Sequence, residues 1–228
     1  MQQAETTWQL DNVRAAGLVV LASLALCACT PPAPEPEAPP EGAVIGVGSS
    51  WILAEEVDRW VSTVALLEPG ETRPSWRRKA LTNLVLPTKL AGLLVPAERQ
   101  AAEQRAEQVL AALRTHGSVP EGFSGTIESA AGDMFEVGLQ RWIMARGLPL
   151  GEWSEIFEEA GTFLIMRVGE APDAEDWQPN TTIRIDYVHI PYIRPEDGLQ
   201  LLIEQAREQI PIWVADPEWE WILPQHYQ

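Results

Sequence analysis

Three histidines, two cysteines and one dense basic cluster are the residues of this chain with the most chemistry to offer. His116 ends a helical stretch and His226 lies near the C-terminus, so the three histidines are too scattered for a zinc centre, and neither a metal nor a cofactor is expected. His189 sits in the alternating stretch Thr182–Ile190 (TIRIDYVHI). There it reads either as a polarising group in a site or as a strand histidine satisfied by a backbone or tyrosine partner. Cys27 and Cys29 both lie beside an N-terminal apolar run, so the rest of the chain has no thiol for a disulfide framework or a thiolate metal site. No Gly-rich nucleotide loop, Gly-x-Ser-x-Gly elbow or helix-spaced carboxylate pair stands out, and Glu158-Glu159 reads as a solvated turn. Arg77-Arg78-Lys79 reads as a solvated helix face, with an anion site as the rival reading.

Those residues depend on the elements that carry them. Ala15–Ala28 (AAGLVVLASLALCA) has no charge, is short for a spanning helix and has the length of a secretory signal's apolar region. It ends Leu26-Cys27-Ala28-Cys29, which resembles a lipobox. That resemblance implies a signal peptide over 1–28, cleavage before Cys29 and lipidation of Cys29. Thr30, in place of an aspartate, then points to an extracytoplasmic anchor on the periplasmic face of the outer membrane if the cell is Gram-negative. The stretch before the apolar run carries Glu5 and Asp11 against Arg14, unlike the basic start usual in such signals. An uncleaved anchor and a buried core helix are the other readings of the apolar run.

Residues 29–42 hold the Pro-rich Thr30–Gly42 (TPPAPEPEAPPEG), an extended spacer. Beyond it, 46% hydrophobic residues suffice for a core, and a net charge of −17 argues against a nucleic-acid partner.

The pattern predicts a strand at Ala43–Val47, a helix with Val57, Trp60, Val61, Val64 and Leu67 on one face, and a stop at Pro69-Gly70. A second helix starts at Pro74 and is kinked or ended by Pro87, and a third runs from Pro96 to His116-Gly117. Gly117–Gly132 reads as loop and Met134–Arg146 as helix. Two strands follow at Thr162–Val168 and Thr182–Ile190, then a helix at Pro195–Ile210. Trp219 and Trp221 fit one side of a strand, packed on the domain or exposed as a peptide- or sugar-binding groove. The expected class is α+β.

Val44–Val95, a strand, a turn, the acidic-started helix AEEVDRWV and the helix SWRRKALTNLV, resembles the N-terminal chaperone region of the SurA/PpiD/PrsA group of extracytoplasmic foldases. Leu148–Glu170, with Gly151-Glu152, Ser154, Gly161 and Val168, resembles the closing segment of a parvulin-type peptidyl-prolyl isomerase domain. AEQVLAALRTHG and AAGDMF are similar to that domain's first helix and Gly-Asp turn, and Arg184–Tyr192 (RIDYVHIPY) to its opening strand, here found downstream. The resemblance implies a helical chaperone-like part over 43–96 and a small antiparallel parvulin-like sheet over 97–228, either trimmed and permuted or followed by a second, truncated unit.

Parvulins rotate a prolyl bond without covalent chemistry, by weakening amide resonance with a polar cluster that includes two histidines. By the resemblance His189 stands at the first position and Leu164 at the second, so efficient isomerase activity is not expected. What remains is a lipid-anchored chaperone-like protein whose partners are unfolded or extended client polypeptides. The alternative is a structural or assembly lipoprotein that binds one envelope protein.

Overall fold

In a computed structural model the structure describes residues 38–173, 176–194 and 198–223. The expected signal peptide over 1–28, Cys29, most of the Pro-rich spacer, Pro195 and His226 lie outside them. Ala43–Val47 (β1) is buried at all five residues and pairs antiparallel with Ser50–Leu53 (β2). Sequence patterning led from β1 straight towards a helix, but Gly48 at φ +58° closes a two-residue hairpin between Val47 and Ser50, and Trp51 and Ile52 suit the returning strand. Ala54–Leu67 (α1) follows, its first turn acidic, with the Glu56 carboxylate accepting the Leu53 N–H at 2.7 Å.

Arg73–Ala80 (α2) starts with Pro74 in its first turn. The chain stays helical through Pro87. A π-turn at Leu81–Val85, with the Leu86 N–H bonded to the Leu81 carbonyl, widens the helix where proline has no N–H to give, and Leu86–Leu94 (α3) continues. The basic cluster on α2 is absorbed by packing. Arg77 pairs with Asp58 at 2.5 Å and lies over the Trp219 ring, Arg78 donates to the Trp221 carbonyl, and Lys79 pairs with Glu68. Arg78 keeps the exposure expected of a solvated face, while Arg77 and Lys79 are half-buried in ion pairs.

Pro96–His116 (α4) runs to Gly117, left-handed at φ +68°, and buries Ala102, Ala106, Val109, Leu110 and Leu113 as its spacing predicts. Glu128–Gly132 (β3), where a loop was expected, is a strand. Its sequence ESAAG has no β-branched residue, and pairing with a neighbouring strand supplies what propensity does not. Met134–Val137 (α5) and Leu139–Arg146 (α6) divide the next helical stretch at Gly138, φ +89°.

Phe157–Glu159 (β4), Thr162–Glu170 (β5) and Ile183–Pro191 (β6) complete an antiparallel sheet in the order β3-β6-β5-β4. Alternate residues face opposite sides. Phe163, Ile165, Val188 and Ile190 pack with α4, while Leu164, Met166, Val168 and Ile185 pack with Met134, Trp142 and Ala145 of α5 and α6.

Leu199–Gln209 (α7) and Ile212–Val214 (β7) return to the N-terminal elements. β7 pairs antiparallel with β1, giving a second sheet β2-β1-β7, and Ile203, Ala206, Trp219, Ile222 and Leu223 join the core of Val44, Ile52, Val57 and Leu86. The Trp213 ring lies so close over Gly46 that a Cβ there would overlap it. Trp219 and Trp221 do not share a strand. Asp216 accepts the Glu218 N–H and Pro217 starts a 3-10 turn that buries Trp219 and leaves Trp221 41% exposed. The fold is α+β, and residues 39–228 form one compact unit.

Candidate functional site

His189 lies near the end of β6 and pairs across the ladder with Leu164 of β5, which pairs in turn with Phe157 of β4. Cross-strand partners share a face, so Phe157, Leu164 and His189 form one row under α6. Leu164 is 0% exposed, which places an aliphatic side chain where the parvulin resemblance would have a second imidazole. The His189 ring lies 5.1 Å from that of Tyr187, and the Arg141 guanidinium lies 5.1 Å over Tyr187 while holding Glu159 at 3.2 Å. Burial, with Arg141 nearby, holds the His189 imidazole below its ordinary value, and its buried Nε2 meets no hydrogen-bond partner among the described residues. A neutral imidazole of this kind can accept one hydrogen bond. A second one to share the work is missing from the row.

Glu158 and Glu159 are adjacent in a strand, so they leave the sheet on opposite faces. On the α4 side Arg99 grips Glu158 with both arms, at 2.9 and 2.7 Å, and the Tyr192 hydroxyl donates to the same carboxylate at 2.7 Å while accepting the Gly161 N–H at 3.1 Å. Burial and the neighbouring carboxylate push the Tyr192 phenol up, so it stays protonated as a donor. Gly92 makes room for this arrangement, since a Cβ there would come within 2.8 Å of the Arg99 side chain. On the α6 side Arg141 takes Glu159. The two glutamates therefore pin β4 from both faces and are not a solvated turn. The sequence signal for this was Ala160-Gly161 before the apolar run of β5, with Gly161 at φ +83° turning the chain into that strand.

β4 also borders a cleft of about 610 Å³ between β4 and α6 on one side and α1, the π-turn and α3 on the other. Trp60, Leu84, Leu93, Met144, Ile156 and Phe157 give it apolar walls. His189 does not line it. No family model, curated protein or solved structure matches the chain.

The site therefore rests on its own geometry. It divides into a cleft that could hold a chain segment and, deeper along the same row, a lone histidine. His116 is exposed at the end of α4, far in sequence from both and not among the cleft's lining residues. Among the described residues no group of three or more His, Cys, Asp or Glu is arranged to hold a metal ion.

Proposed function

We propose that this is a lipid-anchored, extracytoplasmic, chaperone-like protein of the parvulin foldase group that binds unfolded or extended client polypeptides and lacks efficient prolyl isomerase activity. The cleft is the observation that carries the binding half of this reading. It lies between the helical part and the edge of the four-stranded sheet, has apolar walls and is long enough in lining residues to take a segment of chain. The isomerase half draws support from the Leu164–His189 pair. The two positions that the resemblance assigns to histidines are direct cross-strand partners, and one of them is a buried leucine. β6 sits between β3 and β5 within a single sheet, which favours a permuted domain over a second, truncated one. Anchoring through Cys29 remains part of the proposal on the strength of the lipobox resemblance.

The test combines two assays on residues 39–228, native and His189→Ala. Prolyl isomerisation of a peptide is expected to run at the uncatalysed rate in both, and aggregation of an unfolded client is expected to be suppressed in both. Isomerase activity that disappears in His189→Ala would make the protein an enzyme. Failure of both assays would favour a lipoprotein devoted to one envelope partner.

A further inference from the structure

Most edge strands are shielded by charge, by proline or by a covering element, because an open row of backbone N–H and C=O groups will pair with any chain that reaches it. β4 is an edge strand: β5 is its only strand partner, and residues 156–159 make no other backbone–backbone hydrogen bond among the described residues. It is short and carries two glutamates, and among the described residues no further strand pairs with it. It borders the cleft instead, faced across that space by Trp60 of α1 and Leu84 and Leu93 of the π-turn and α3. The strand is also held in place before any partner arrives, by Arg99–Glu158 on one face and Arg141–Glu159 on the other. An edge fixed in this way costs little to order on binding.

The cleft's charges narrow the partner further. Glu158 is neutralised by Arg99, while Glu56 keeps its charge and accepts the Leu53 N–H, so Arg59 and Lys89 leave the cleft with one net positive charge. Arg59 and Lys89, by contrast, line the cleft with no ion pair among the described residues, on a chain whose net charge is −17. A neutral or basic segment entering here would desolvate two cations without compensation, whereas a segment with carboxylates would pair them.

We infer that the cleft takes an extended polypeptide segment of another protein, alternating apolar and acidic residues, as an added strand on β4, with its carboxylates on Arg59 and Lys89. The inference rests on the client-binding reading above and specifies its ligand. Main-chain bonding to β4 supplies affinity without regard to sequence, the apolar walls take every second side chain, and the two cations set the preference for acid.

Fluorescence anisotropy on the full-length protein in detergent tests this with a labelled ten-residue peptide of alternating valine and threonine carrying two aspartates. Matched peptides carry asparagine or lysine at those two positions, and a fourth is the aspartate peptide N-methylated on alternate residues. The aspartate peptide is expected to bind about tenfold or more tightly than the lysine peptide. The double variant Arg59→Glu with Lys89→Glu, both side chains at least partly exposed, is expected to invert that order at an unchanged melting temperature. N-methylation is expected to remove binding. Equal affinity for the three charge forms overturns the acidic preference, and undiminished binding of the N-methylated peptide overturns strand addition. If no peptide binds while protection of an unfolded client persists in the same preparation, this inference falls and the client-binding reading stands. If protection is lost as well, both fall.

Discussion

Beneath α4 the four-stranded sheet buries Phe163, Ile165, Val188 and Ile190, and the polar groups at that face are all engaged: Arg99 with both oxygens of Glu158, Tyr192 donating to Glu158 and accepting from Gly161. Beneath α5 and α6 the same strands present Leu164, Met166 and Val168, but here Arg141 holds Glu159 at longer range and the buried Nε2 of His189 has no partner among the described residues. The first face is built as structure, because a half-buried charge pair is tolerable only when its remaining lone pairs and protons are used. The second carries a polar group that packing alone does not justify. A buried polar atom without a partner is a cost, whichever ring nitrogen carries the proton.

Stability measurements in urea can break this comparison. Arg99→Met keeps the aliphatic stem but abandons Glu158 and should cost the most, about 2–3 kcal/mol. Arg141→Met should cost clearly less. The Arg141–Glu159 pair is the more buried of the two, at 24% and 13% side-chain exposure against 33% and 20%, but its contacts of 3.4 and 3.2 Å are poorer, and no third group shares them. Equal losses would erase the distinction between the faces. Tyr192→Phe removes one donor from the α4-side network and should cost about 1–1.5 kcal/mol.

The smallest effect has the opposite sign. His189→Leu removes the unpaired polar atom and should leave stability at pH 7 unchanged or raised by up to about 1 kcal/mol. It should also alter the pH profile. The folded imidazole is held below the ordinary histidine value of 6.5, so above that value both folded and unfolded chains are neutral at this residue and it contributes no slope. As pH falls through 6.5 the unfolded chain takes up a proton that the folded one resists, and stability drops until the folded group also titrates. Urea midpoints measured from pH 8 down to pH 5 should show that decline in the native protein and a shallower one in His189→Leu. Parallel profiles would remove His189 from the account of this face.

Much of the frame was legible from local rules. α4 declared itself through proline at its start, glycine at its end and alanines and leucines at helical spacing. β1, β5 and β6 did so through apolar or alternating runs. The errors share a cause, in that a partner distant in sequence decides the outcome. β3 is a strand because β6 offers it an edge. Glu158 and Glu159 are strand residues because arginines on two different helices receive them. The helix passes Pro87 because a π-turn rearranges the carbonyls behind it. In the candidate site, the resemblance drew attention to His189 and Leu164, and Gly161 marked the turn from β4 into β5. The cleft, Arg141 and Tyr187 were not, since nothing in a single sequence places α6 beneath β4 or α3 across from it.

The pairing of Ile45 with Val214 joins nearly the first described strand residue to nearly the last. In a chain made from its N-terminus, β1 and β2 therefore have only the helices that follow them to pack on, and lack their third strand until residue 214 has been made. Closing so long a loop is slow, and it should be the late step of folding. A nascent chain that stops before Ile212 lacks β7, Trp219 and Leu223 and keeps an open edge at β1. For such a protein, truncation near the C-terminus is a defect of the N-terminal core.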